Sequence, residues 1–348
     1  MATASAVPET YHLEGDDARE TLKRVGRRRL LKDAFVRFRA ADGASHSRAF
    51  GHAAILVMFP ALITIIGLAS AFEWTTFRDV LKDTLEGFSP GPSERLLETA
   101  FERGSRGGHA VWLGGLVATI LSGTFLMAQV ERGLNRIYGL ARDRSIGRRL
   151  MAGLAMMMSA GTLLTLSFVV LAGGDAFAEA LRDGSRLGDD VVDGIVLVRW
   201  PIAVLLTFAA LTLVYKYSPH RHQPSAGWLQ TGTVIAALSW AALTGLLTLY
   251  YAGGGQMSQT YGPLLGVIAL LTWAYATGIA TYLGMSVTAQ LEATRAGVPG
   301  PRTLRRFNET VRDPEETEHL ETLRPLTDDE RRLAEPADHG AGGSAISV

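Results

Sequence analysis

The residues best equipped for chemistry in this chain are arginines. Arg132 and Arg136 stand one helical turn apart in Glu131-Arg132-Gly133-Leu134-Asn135-Arg136-Ile137-Tyr138-Gly139, and Arg148 and Arg149 follow shortly after. Guanidinium groups at i and i+4 can hold one phosphate between them, each offering paired N–H donors, so these four arginines are expected to bind anionic head groups. An ordinary solvated basic loop accounts for the same residues equally well. The run His220-Arg221-His222, between Pro219 and Pro224, has no acidic neighbours in sequence and reads as a tight turn rather than a metal or acid–base site. With no cysteine, the chain has no disulfide, thiolate metal site or cysteine nucleophile. No nucleophile and base stand at a recognisable spacing, so neither an enzyme, a ribonuclease included, nor a cofactor, a metal site or a nucleic-acid partner is expected.

The elements that must carry these arginines are apolar and long. Six stretches, 51–72, 110–130, 150–172, 195–217, 228–252 and 264–287, each approach or exceed the roughly 20 residues that cross a hydrocarbon core at about 1.5 Å per residue. None needs a charge at its midpoint, where ion-coupled transporters usually place one. The expected fold is therefore an all-α integral membrane protein with six transmembrane helices. The formal charge of zero, from 34 basic and 34 acidic residues, hides a polarised distribution. Basic residues crowd the segment before the first stretch, from Lys23 to Arg48, and the loop after the second. The loop after the third is acidic, and Gly253 to Pro263 carries no charge. Basic loops resist translocation, so both termini are expected in the cytoplasm, with the protein in a bacterial inner membrane. Met1 to Asp17 lacks the pattern of a cleavable signal peptide.

Three regions follow. Residues 1–50 form an N-terminal arm in which Leu31, Ala34, Phe35 and Phe38 make an apolar stripe among Arg27, Arg28, Lys32, Arg37 and Arg39. This is an amphipathic helix suited to the membrane interface, or alternatively to packing on the loops. Residues 51–290 form the membrane domain, with two short helices expected in its first external loop, before and after Pro90-Gly91-Pro92. Residues 291–348 lose apolar periodicity and are expected to be a disordered tail. Within the spans Pro60 removes one backbone hydrogen bond and is expected to kink its helix or leave a carbonyl free. Ser122, Thr124, Gln129, Ser159, Thr162, Thr165, Ser167, Thr244 and Thr248 could line a polar path, but hydroxyls more simply bond back to their own helices or join helices together. Gly114, Gly115, Ala118, Gly153, Ala160, Gly245, Gly266, Gly278 and Gly284 read as close-packing positions.

Several pieces in order carry a family likeness: Phe59-Pro60, Leu134-Asn135-Arg136-Ile137-Tyr138, Tyr215 with Pro219, Tyr261-Gly262, the Leu271-Thr272-Trp273-Ala274-Tyr275 stretch, and Gly284 to Glu292. From about Leu31 to Glu292 the chain resembles the YihY/BrkB family of bacterial inner-membrane proteins. Asn135, Tyr138, Tyr261, Gly262, Trp273 and Gly284 are the motif residues. The chain departs from the family pattern at His52, Ala53 and Val57, and again at Gly284-Met285-Ser286-Val287-Thr288, where a carboxylate and an asparagine are usual. The resemblance implies six spans and a role in the cell envelope, with lipid or lipid-A-related export among the links. An older label, tRNA-processing ribonuclease (ribonuclease BN-like), does not fit the residues present. Two expectations result. The first is a handler or transporter of a lipid or other amphiphile, with membrane lipids and anionic head groups as partners. The second is a scaffold recruiting proteins through its arms. A homo-oligomer is compatible with both.

Overall fold

The computed structural model describes residues 6–10, 13, 15–71, 108–140, 142–172, 189–252 and 264–298, and all regular structure among them is helical. Two short helices, α1 (Gly15–Val25) and α2 (Arg27–Ala40), form the N-terminal arm. They are separated by Gly26, whose φ of 82° breaks the helical path at little cost because glycine lacks a β-carbon. Asp42, at φ 55°, makes the next corner.

The membrane helices are α3 (Gly43–Ala71), α4 (Gly108–Ile137), α5 (Ile146–Met156) continued as α6 (Thr162–Ala172), α7 (Asp189–Tyr217), α8 (Ala226–Ala252) and α9 (Leu264–Arg295). Among the described residues, six spans are long and apolar enough to cross a membrane. Each packs on the span before and after it in sequence, and α9 closes back on α3, so the six form a ring. Apolar side chains such as Leu205, Leu249 and Phe125 stay exposed along the spans, as lipid-facing residues do.

Glycine sets close backbone approach at several crossings, α8–α9 and α3–α9 among them, whereas Gly114, Gly245 and Gly266, expected to pack closely, face open space. Where α8 meets α9, a β-carbon on Gly284 would fall 2.5 Å from the Gly232 carbonyl oxygen and 2.7 Å from the Tyr215 hydroxyl. Where α3 meets α9, a β-carbon on Gly51 would fall 2.9 Å from the Tyr275 nitrogen. Between α5 and α6 a π-helical turn, Met157–Gly161, places Met157 against Gly123 of α4. Ser122, Thr124, Ser159, Thr162, Thr165 and Thr248 donate to carbonyls four residues back, while Ser167 crosses to the Ala203 carbonyl of α7. These hydroxyls bind helix backbone, as the simpler reading expected, whereas the buried Thr244 hydroxyl has no hydrogen-bond partner among the described residues.

Several boundaries shift. The helix runs through Pro60 from Gly43 to Ala71 without interruption, and the Pro60 carbonyl accepts from Thr64. Helices α3 and α4 extend past their apolar runs because their ends pack on protein at one end of the ring. The boundary expected at residue 290 lies inside α9, which continues to Arg295 and buries Leu291, Glu292 and Ala293. The two external helices, Tyr261, Gly262 and most of the tail fall outside the described residues.

Candidate functional site at the basic end

The N-terminal arm, the start of α3, the ends of α4, α7 and α9, and the starts of α5 and α8 meet at one end of the ring. Most of the buried core lies there, with Leu134, Tyr138, Tyr215, Leu229, Tyr282 and Met285 among its fully buried members. The α2 stripe divides. Ala34 and Phe38, with Leu30 and Arg37, turn inward onto the protein, whereas Leu31 and Phe35 remain exposed. Half of the stripe thus packs on protein, with α9 as its main partner, and half stays exposed.

Arg37, expected among the outward charges, is fully buried. Its Nε donates to Gln290 Oε1 at 2.9 Å and its Nη1 to the Ile137 carbonyl at 3.2 Å. Burial lowers its guanidinium to about 10, against the opposing influence of Tyr138 and Glu292, so it stays charged at neutral pH.

The His220-Arg221-His222 turn gains through folding the acids it lacks in sequence. Arg221 pairs with Glu292, both side chains having no exposed surface, and lies 4.3 Å above the Tyr138 ring. Its two Nη atoms also donate to the carbonyls of Val7 and Pro8, and Thr10 donates to Glu292, so the arm is tied across the turn. His222 lies 3.6 Å from Glu9. Burial raises the Tyr138 phenol above its ordinary value, chiefly by desolvation, while its hydroxyl donates to Gln223.

Of the motif residues, Asn135 donates to Asp143 and accepts from the His220 nitrogen, so it fastens two loops together. Trp273 stands edge-on to Trp240 at 6.3 Å, and Gly284 holds the α8–α9 crossing. These placements are structural.

The four candidate head-group arginines separate. Arg149 is buried, 3.5 Å from Asp143 and bonded to the Arg144 carbonyl, and so leaves the set. Arg144 reaches Glu131 at 2.9 Å and caps the carbonyls of Ser218 and Pro219. Arg148 is exposed and bonded to Ser145. Arg132 is exposed and Arg136 half-exposed, and neither has an ion-pair partner among the described residues. Sequence reasoning missed Arg37, Arg221 and Glu292 as interior residues. Only the isolated polar residues in otherwise apolar helix ends hinted at them.

A ring of six spans, closed at one end by buried ion pairs and a rim of arginines, defines a polytopic α-helical membrane protein. The chain belongs to the Virulence factor BrkB family, which it matches over residues 34–306. It is similar to the ribonuclease-like protein YfkH of Bacillus subtilis, 26% identical over 272 residues that cover 75% of this chain and 94% of that protein. It is also similar to UPF0761 membrane proteins of Chromohalobacter salexigens and Verminephrobacter eiseniae, at 23% and 25% identity. The match takes in 77% and 75% of this chain but only 64% and 62% of those two relatives. No solved structure matches the chain.

Proposed function

We propose that this membrane protein handles an anionic lipid or related amphiphile without acting as an enzyme, and gathers the head group at the arginine-rich end of the ring. The observation that carries the reading is a contrast among neighbouring cations. Arg144, Arg149, Arg221 and Arg295 each face a carboxylate, whereas Arg132 and Arg136 have none among the described residues. Two unneutralised guanidinium groups one turn apart at a span's end suit a phosphate at the level of lipid head groups. The excess of basic residues at this end supports placing it on the cytoplasmic face of a bacterial inner membrane.

The test is native mass spectrometry of protein extracted with its surrounding lipids, comparing the wild type with Arg132→Ala/Arg136→Ala. Loss of charge-assisted bonds worth about 1.5 kcal/mol or more should cut anionic-lipid retention at least about tenfold, with no change in thermal midpoint. Equal retention by both proteins would refute the site.

A further inference from the structure

A groove of about 510 Å³ opens between the N-terminal arm and the start of α8, on helices that Arg132 and Arg136 do not share. Its volume falls within the roughly 300–1,000 Å³ of small-molecule sites. Leu30, Leu31, Val234 and Val287 supply apolar lining, and Val234 continues into the exposed Leu238 one turn further along α8. Because α8 is a membrane span, that exposed face lies against acyl chains. The groove is therefore continuous with hydrocarbon at one side. Arg19 and Arg27 stand at its edge, both exposed. Arg27 has no ion-pair partner among the described residues, and Arg19 has only the solvent-exposed Asp16 at 3.7 Å, a contact of little strength. Gln230 and Thr231 add uncharged hydrogen-bonding groups beside them.

We infer that this groove is a lipid site that seats one phospholipid of single net negative charge. Two arginines and one aspartate leave a net charge of +1, which a monoanionic phosphodiester head group neutralises, while Gln230, Thr231 and Asp16 can meet its hydroxyls. One acyl chain then follows Val234 and Leu238 along α8. The exposed Leu31 and Phe35 of α2 hold the arm at the interface beside it, so the arm forms one wall of the site. The bound lipid joins the arm to the bundle.

The experiment titrates the full-length protein in detergent with phosphatidylglycerol or phosphatidylcholine and reads bound lipid by native mass spectrometry. The wild type is expected to bind one phosphatidylglycerol at least tenfold more tightly than phosphatidylcholine. Arg19→Ala/Arg27→Ala should abolish that preference, and Val234→Trp, which fills the groove without changing charge, should weaken binding of both lipids. Arg132→Ala/Arg136→Ala should leave this lipid bound, so the groove and the α4 arginines are judged separately. Equal binding of the two lipids by the wild type, or unchanged preference in Arg19→Ala/Arg27→Ala, would overturn the proposal. Loss of the preference in Arg132→Ala/Arg136→Ala alone would also overturn it, while leaving the α4 site standing.

Discussion

Arg221 and Glu292, 71 residues apart, form an ion pair from which solvent is wholly excluded, with the guanidinium covered by the Tyr138 ring. Through Arg221 the pair joins the α7–α8 turn to the end of α9, and through the Val7 and Pro8 carbonyls it joins both to the N-terminal arm. A charge in this position is stable only while its partner is present.

Glu292→Gln should therefore cost about 3–5 kcal/mol, because it leaves the Arg221 guanidinium buried without a counter-charge. Replacing both residues, as Arg221→Met/Glu292→Leu, should cost less than Glu292→Gln alone. Thermal unfolding in a mild detergent would show the order. A double variant less stable than the single one would mean that the pair's contacts to Val7, Pro8 and Thr10 outweigh its charge.

Gly284→Ala should destabilise by about 1–3 kcal/mol, since the added methyl meets the Gly232 carbonyl and the Tyr215 hydroxyl with no flexible neighbour to yield. Gly245→Ala, in a part of α8 where a β-carbon meets open space, should be neutral or slightly stabilising. Comparable losses in the two variants would show that helix flexibility, not close approach, is what glycine provides.

The buried Tyr138 phenol imposes a pH dependence at the alkaline end. Its folded-state pKa lies above the unfolded value near 10, so its contribution is fully present below about pH 10 and is lost as the pH rises beyond it. The slope attributable to this group is about 1.4 kcal/mol per pH unit. Tyr138→Phe loses the bond to Gln223 but should show a shallower decline between pH 10 and 11 than the wild type. Parallel declines would rule out Tyr138 as the titrating group.

The six spans were legible in the chain because a bilayer imposes one demand, about 20 apolar residues per crossing, and 51–72 or 228–252 meets it without reference to any other segment. The same holds for the helical continuation of α4 through Arg136 and for the hydroxyls of Ser159 and Thr165, whose carbonyl partners lie four residues back on the same helix.

Which charges face inward was decided only by tertiary structure. Arg37 lies 253 residues from Gln290, and Arg149 looked identical to Arg148 until α5 turned one toward Asp143 and left the other exposed. Glu292 opened what looked like a polar tail, yet α9 carries it into the core because Arg221 waits there. The division between Leu31 and Ala34 on α2 has the same origin. Local pattern records how well a residue suits water or lipid, whereas burial depends on which two surfaces meet, and for these residues the partner lay tens to hundreds of positions away.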